Sequence, residues 1–167
     1  MIHYEETLPT VAEFNSLTES VGWGMEPEPI VQKALEHTLY AVCAYDGDRI
    51  IGHARLIGDG ALFVYVQDVM VRPEHQAKGV GAGLMQRVVE YIDALKEKSA
   101  NLRAYLGASA GKEGFIENLA LKPVVTRDWA RTWCAFRLER EPFFKGARFF
   151  IRRAEKRGIL WRPGSRT

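Results

Sequence analysis

The spacing of apolar residues changes several times along the chain, and each change marks a predicted element. From Thr10 to Glu19, apolar residues recur at every third position, the period of one face of a helix. A second, shorter helix is predicted from Ile30 to Leu35, after a segment broken by glycine and proline. From Gly79 the apolar positions recur at three and four over roughly five turns, which predicts a long helix. These positions are Leu84, Val88, Tyr91, Ile92 and Leu95.

β-rich runs fill most of the remaining chain. The predicted strands cover 2–6, 39–45, 50–57, 61–71, 102–106, 124–125 and 133–138, and a short helix is predicted at 111–119. The turns Asp46-Gly47-Asp48 and Gly58-Asp59-Gly60 separate the second, third and fourth runs and are typical of hairpins. We therefore predict an antiparallel meander between residues 39 and 71. The element order is β-α-α-β-β-β-α-β-α-β-β, a mixed α/β (α+β) layout.

Length and composition favour one soluble globular domain. The chain has 167 residues, of which 47% are hydrophobic and 26% charged. No apolar run reaches the roughly eighteen residues that would span a bilayer. The N-terminus lacks the layout of a signal peptide, so we expect a cytoplasmic protein without membrane partners. The two cysteines, Cys43 and Cys134, lie in apolar runs and are expected to be buried free thiols.

The charge is distributed unevenly. Residues 140–167 contain nine Lys/Arg against Glu141 and Glu155, so this segment carries +7 and residues 1–139 carry −5 of the net +2. We predict one globular domain at 1–139 and a basic extension at 140–167 whose apolar spacing favours an amphipathic helix. The extension could pack on the domain, form a dimer contact, or bind an anionic membrane or nucleic acid. Of these, we predict packing on the protein itself rather than binding to nucleic acid.

The most informative segment joins the fourth predicted strand to the long helix. Gln76, Gly79 and Gly81 precede this helix, whose first backbone N–H groups lack intrahelical partners and carry the positive end of the dipole. Glycines let an anion approach these groups, so the segment is a candidate pyrophosphate site. A Walker A loop would require Gly-Lys-Ser/Thr, and a dinucleotide fingerprint would follow a first βαβ strand directly. Neither context is present, although close packing of the helix start remains an alternative.

The pattern Gln76-x-x-Gly79-x-Gly81 resembles the acetyl-CoA-binding motif of the GNAT superfamily of N-acetyltransferases. The similarity extends upstream to Asp68-Val69-x-Val71-x-Pro73 and downstream to Leu84-Met85. A weaker resemblance lies at 111–123, where the family has its late helix. The resemblance implies a mostly antiparallel sheet of about seven strands flanked by about four helices. It also implies direct transfer of an acetyl group from acetyl-CoA to a primary amine, without an acyl-enzyme.

The resemblance assigns roles to individual residues. The cofactor-binding positions that it implies are Val69, Met70, Val71, Gln76, Ala77, Lys78, Gly79, Val80, Gly81, Ala82, Ser109 and Phe115. Strand backbone at Val69 and Val71 would hold the pantetheine arm, and the amide near Val69 would polarise the thioester carbonyl. Backbone N–H groups from Gln76 to Ala82 would hold the pyrophosphate.

The chain departs from the family pattern at the position of the usual proton-donating tyrosine. Ile116 stands there and cannot donate a proton to a leaving thiolate. Two hypotheses therefore stand: an N-acetyltransferase acting on a small-molecule or protein amine, and an acetyl-CoA-binding module that does not catalyse transfer.

Tyr65 and Asp68 are the predicted catalytic residues, because a base must accept a proton from the attacking amine. Each also has a structural interpretation: Asp68 as a carboxylate satisfied by nearby groups, and Tyr65 as a half-buried strand aromatic. His53 is expected in the core or on the sheet face, with a role at the acceptor site as the alternative, and His75 is expected on the surface. Trp23, Met25 and the region of Trp129 and Trp133 are candidates for acceptor contact, where they could stack on a cation. No His, Cys, Asp and Glu spacing suggests a metal site.

Overall fold

A computed structural model of the chain describes residues 1–109, 122–124 and 133–137. Five strands, β1–β5, and three α-helices form the body of the fold. The strands are β1 (Ile2–Glu5), β2 (Tyr40–Asp46), β3 (Arg49–Gly58), β4 (Phe63–Val71) and β5 (Arg103–Ser109). The helices are α1 (Val11–Ser20), α2 (Glu28–Glu36) and α3 (Val80–Lys98), with a 3-10 turn at Pro73–His75. Two short strands, β6 (Lys122–Val124) and β7 (Trp133–Arg137), extend the sheet in the order β1-β2-β3-β4-β5-β7-β6.

Strand pairing confirms the predicted meander. Among the described strands, the β1–β2, β2–β3 and β3–β4 pairs are antiparallel, and the β4–β5 pair alone is parallel. The α+β class is confirmed. In the described residues the body of the sheet has five strands, the short β6 and β7 lie beside β5, and three helices flank the sheet, against predictions of about seven strands and about four helices. The predicted helix at 111–119 and the basic extension at 140–167 lie outside the described residues.

The two faces of the sheet carry separate cores. On one face, α3 packs on the sheet through fully buried residues such as Leu56, Leu84 and Ile92. On the other face, α1 and α2 pack on the sheet through Phe14, Leu17, Val31, Leu35 and Met70. Cys43 is buried on the α1/α2 face, as predicted. Because both faces are covered, β2 and β3 read as nearly continuous apolar runs rather than alternating ones.

Local sequence explains where several elements begin. Thr10 accepts from the backbone N–H of Glu13, whose side chain accepts from the Thr10 N–H, so a capping box starts α1. β4 begins at Phe63, two residues later than predicted, because Asp59 holds the turn. Its carboxylate accepts from the N–H groups of Ala61, Leu62 and Phe63 at 2.8–2.9 Å, which lowers the pKa of that carboxyl.

Candidate active site

β4 and β5 separate partway along their length. Their parallel pairing runs from Phe63 opposite Arg103 to Val66 opposite Leu106. Beyond Leu106, β5 continues to Ser109 in antiparallel pairing with β7, whereas β4 continues to Val71 in pairing with β3. Among the described strands, the β5-facing edge of residues 67–71 therefore has no partner strand. Extended backbone with free N–H and C=O groups can bind a ligand's amides as another strand would.

β4 contains a bulge at the start of this gap. His53 pairs with Met70 and Arg55 with Gln67, so Ala54 alone faces both Asp68 and Val69. A bulge leaves one residue out of the hydrogen-bonded ladder and redirects its backbone groups. Asp68 adopts a left-handed conformation with φ 52°, which is uncommon for a residue other than glycine. The bulge therefore lies where the resemblance implies the thioester.

The start of α3 presents backbone N–H groups that no side chain caps. Gly79 caps the helix in the left-handed conformation (φ 83°), and no side chain caps the first N–H groups, which belong to Val80, Gly81 and Ala82. Ala77 is also left-handed, with φ 58°. The first turn of α3 contains no acidic residue, and a Cβ placed on Gly79 would have no heavy atom within 4 Å. An uncapped helix start beside open space fits an anionic group such as a pyrophosphate.

Side chains fasten the loop before α3 to the sheet. The Gln76 amide donates to the Val71 carbonyl at 2.9 Å, so this motif residue holds the end of β4 with its side chain. Arg49 bonds Glu74 at 3.0 Å, and His75 lies 3.8 Å from Asp46. His75 is less exposed than predicted, with a side-chain exposure of 14%, because it packs against the β2–β3 hairpin. The loop geometry is therefore supported from outside the binding surface.

A cleft of about 250 Å³ borders the bulge on the sheet face that α1 and α2 cover, and it lies beneath these two helices. Its lining is mostly apolar and includes a hydroxyl, a glycine, two acids and one base; the residues are Phe14, Thr18, Trp23, Gly24, Glu26, Ile30, Val31, Ala34, Arg55 and Asp68. The α1–α2 loop at its edge is held by Asn15, whose side-chain amide donates to the Glu26 carbonyl and accepts from the Glu26 N–H. Trp23, predicted to contact the acceptor, lines this cleft, and Met25 does not.

The two predicted catalytic residues occupy different surroundings. Asp68 lines the cleft, where its carboxylate accepts from Arg55 Nε at 2.5 Å. Tyr65 lies elsewhere on the same sheet face, 42% exposed, with its ring 5.3 Å from that of Tyr105. The structure therefore brings Asp68, but not Tyr65, into the cleft.

The other predicted cofactor residues fall into three groups. The backbones of Val69 and Val71 lie along the open edge of β4, whereas the Met70 side chain is buried in the α1/α2 core. Ser109 ends β5, where its backbone pairs with Trp133. Phe115 lies outside the described residues. The same holds for Ile116, at the proton-donor position, and for Trp129, a candidate for acceptor contact.

Arg55 and Glu26 are site residues that the sequence did not single out. Arg55 lies in the apolar strand β3, and a charged residue in such a strand needs a partner. Pairing the two runs around the turn at Gly58-Asp59-Gly60 would have brought Arg55 near Asp68. That signal was present, but the one-residue shift at the bulge is not visible in the sequence.

His53 and Cys43 form a buried pair beneath α1. His53 Nδ1 lies 3.6 Å from Cys43 Sγ, and the imidazole packs edge-on against Phe14. Burial, with a smaller contribution from Arg55, lowers the pKa of His53 to about 3, and burial raises the pKa of the Cys43 thiol to about 12. Both groups are therefore neutral near pH 7, and the core position predicted for His53 is confirmed.

The buried imidazole predicts a loss of stability in acid. The folded-state pKa lies below the unfolded value of about 6.5, so the unfolded chain binds the proton first as the pH falls. We expect His53 to reduce the free energy of unfolding by up to about 1.4 kcal/mol per pH unit between about pH 6 and 3. Urea unfolding of His53→Met at several pH values should show a shallower acid slope, whereas the exposed control His37→Asn should keep the original one. Equal slopes for all three proteins would contradict the assignment.

Comparison with known proteins decides what this combination of gap, bulge and helix start belongs to. Residues 8–107 match the family model described as the acetyltransferase (GNAT) family. The chain belongs to the GNAT family. The predicted membership of the GNAT superfamily is therefore confirmed. The members of this family are acyltransferases that use acetyl-CoA.

Individual relatives agree with this assignment. A ycf52-like N-acetyltransferase of Prochlorococcus marinus is 34% identical over 110 residues, which is 64% of this chain and 59% of that protein. Serotonin N-acetyltransferase 2, chloroplastic, of Oryza sativa is 32% identical over 83 residues, which is 47% of this chain and 42% of that protein. A GNAT family acetyltransferase structure from Streptococcus pneumoniae is 26% identical with a TM-score of 0.63, covering 78% of this chain and 98% of that one. The chain spans about half the length of the curated relatives.

Neither a membrane-spanning helix nor a candidate metal cluster occurs in the described part of this GNAT chain. None of its helices there is both long and apolar enough to cross a bilayer. Within the same residues, no three His, Cys, Asp or Glu side chains are grouped so that they could hold a metal ion.

Proposed function

We propose that the chain transfers an acetyl group from acetyl-CoA to a primary amine by direct attack on the thioester. The observation that carries the proposal is the position of Asp68. This residue belongs to the β4 bulge, which borders the gap between β4 and β5, and it also lines the cleft beneath α1 and α2. A ligand entering from the gap and a ligand entering from the cleft would therefore meet at one point of β4.

Acetyl-CoA would lie along the gap and the start of α3. The backbone from Gln76 to Ala82 would bind the pyrophosphate, and the open edge of Val69 to Val71 would pair with the pantetheine amides. A backbone N–H released by the bulge would donate to the thioester carbonyl oxygen as negative charge develops there. In the reaction a C–N bond forms, the C–S bond breaks, and the sulfur leaves as the CoA thiol after protonation.

The acceptor would enter through the cleft as a cation. Residues 1–36, which include α1, α2 and their loop, contain seven Glu and only Lys33, a net charge of −6 before the N-terminus is counted. Arg55 does not reverse this charge in the cleft, because it is paired with Asp68. Such a field attracts cationic ligands. The apolar wall formed by Phe14, Trp23 and Ile30 suits the carbon skeleton of the amine, and the rice relative is named for an aromatic amine.

Removal of a proton from the amine is the step that the described residues support least. The Asp68 carboxylate accepts a hydrogen bond from Arg55, which weakens its case as the base and leaves Tyr65 or solvent. Together with Ile116, this observation favours one alternative function, an acetyl-CoA-binding module that does not catalyse transfer.

Calorimetry and thiol release distinguish the two functions. Acetyl-CoA is titrated into the protein, and free thiol is then followed with aryl, alkyl and polyamine acceptors. Saturable binding with amine-dependent thiol release is expected. Binding without release from any amine would favour the module, and absence of binding would exclude both.

Glu26 offers a test of the cationic acceptor. In the Glu26→Gln variant we expect KM for a cationic amine to rise roughly two- to fivefold, because one charge at the cleft rim is worth up to about 1 kcal/mol. The wild-type kcat/KM should also fall with increasing salt, which screens the acidic surface. Glu97→Gln, an exposed acid on α3, is the matched control and should leave KM unchanged. A KM that responds equally to both variants would contradict recognition by Glu26.

A further inference from the structure

Arg55 connects three parts of the fold through one guanidinium. It extends from β3, and its Nε donates to Asp68 Oδ2 in the β4 bulge at 2.5 Å. Its Nη1 donates to the Ala34 carbonyl at 2.8 Å and to Thr38 Oγ1 at 3.1 Å, at the end of α2. The Arg55 and Asp68 side chains are only 13% and 19% exposed, so water competes weakly for these bonds.

The contacts of Arg55 reach the end of α2 and the bulge. The Ala34 carbonyl lies near the C-terminus of α2, where carbonyls run out of intrahelical partners, and it accepts from Arg55 Nη1 and, at 3.2 Å, from Thr38 Oγ1. Asp68 holds a left-handed φ of 52°, a conformation that is unfavourable for most side chains. A carboxylate anchored by a charge-assisted bond stabilises that conformation where glycine would otherwise be expected.

We propose that Arg55 is a positioning residue that sets the conformation of the β4 bulge and locks it to α2. The inference rests on the proposed function in one respect: the bulge is taken to present the backbone N–H that polarises the thioester. α2 supplies Ile30, Val31 and Ala34 to the cleft. The wall that receives the amine and the backbone that receives the thioester are thus held in one fixed relation. Asp68 acts here through its bond to Arg55 and not as a base.

Lysine could not replace this arrangement fully. Its ammonium could pair with Asp68, but it lacks the planar fork that serves a carboxylate on one side and α2 on the other. Arg55→Lys is therefore expected to retain part of the function, and Arg55→Met to lose more. Asp68→Gly is the most informative variant, because glycine accommodates a φ of 52° without strain while it removes the anchor.

Hydrogen exchange tests the inference without any ligand. Among the described residues, the Asp68 side chain makes no hydrogen bond to α2 and is connected to it through Arg55. We expect Asp68→Gly to accelerate amide exchange at least fivefold both at 67–71 and in the last turn of α2 and Thr38. The control Asp48→Gly, in the β2–β3 turn, should change neither segment. Unchanged exchange at the end of α2 in Asp68→Gly would overturn the connection.

Bound acetyl-CoA labelled with carbon-13 at its carbonyl tests the effect on the thioester. In the wild type, the chemical shift of the carbonyl carbon should differ between bound and free acetyl-CoA. In Asp68→Gly and Arg55→Met, the shift of the bound form should be close to that of free acetyl-CoA. Affinity for CoA, which lacks the acetyl group, should stay within about twofold because the helix start is untouched. Amine-dependent kcat should fall at least tenfold with little change in KM for acetyl-CoA, and Arg55→Lys should lie between.

The outcomes separate this inference from the proposed function. A wild-type protein that shifts the carbonyl resonance but releases no thiol would remove the transferase proposal and retain the positioning role. A wild-type protein without a carbonyl shift, or an Asp68→Gly variant that keeps the wild-type shift and kcat, would overturn the positioning role. If Arg55→Met does not fold, Arg55→Lys and Asp68→Gly still decide the matter.

Discussion

Substitution of Gly81 by glutamate is expected to reduce affinity for acetyl-CoA by at least about a hundredfold. Gly81 is the second residue of α3, where the N–H groups of Val80, Gly81 and Ala82 have no side-chain cap. A glutamate at this position would place a carboxylate where we propose that the pyrophosphate binds. The carboxylate would repel the anion and compete for the same N–H groups, and repulsion at close range in a partly dry site costs several kcal/mol.

The same substitution should leave the fold intact, because an acidic residue in the first turn of a helix is favourable by roughly 0.3–1 kcal/mol. Calorimetry should therefore show weaker binding of acetyl-CoA to Gly81→Glu, whereas thermal unfolding should show unchanged or higher stability. Asn101→Glu, an added charge beyond the other end of α3, is the matched control and should bind as the wild type does. If Gly81→Glu retained the wild-type affinity, the start of α3 would not be the pyrophosphate site.

The sequence predicted the layout of this fold well because its signals are local. Helical spacing located α1 and α3 within a residue or two, and Asp-Gly turns located the β2–β3–β4 meander. The segment from Gln76 to Ala82 was recognised because its residue types and spacing reflect a backbone requirement at one short turn. Boundaries were wrong where a side chain decided them, as at Phe63, whose strand begins only after the three N–H groups held by Asp59.

The parts of the site that the sequence did not reveal depend on pairing between distant strands. At the bulge, Ala54 faces two residues of β4, so the register shifts by one residue. No periodicity in either strand indicates this shift. Asp68 is predicted as a base from its place on the strand that would carry the thioester, whereas its surroundings depend on Arg55, thirteen residues away. A charge in a strand can be seen in the sequence, but its partner follows only from the register.

Replacement of Gly58 by alanine is expected to destabilise the fold by on the order of 3 kcal/mol or more. Gly58 ends β3 with φ 139°, and a Cβ there would overlap the Phe63 carbonyl oxygen and approach the Val64 Cα, both of them backbone atoms. The β3–β4 hairpin would have to open to relieve the clash, and the register that produces the bulge depends on this hairpin. Urea unfolding should therefore show a much lower midpoint for Gly58→Ala.

Gly47→Ala is the matched control, since that turn glycine also has a positive φ (59°) but nothing within 4 Å of its Cβ position, so only about 1 kcal/mol is expected. Equal losses in the two variants would mean that φ alone matters at Gly58. A larger loss at Gly58, together with reduced acetyl-CoA affinity in the fraction that folds, would connect the hairpin to the geometry of the site.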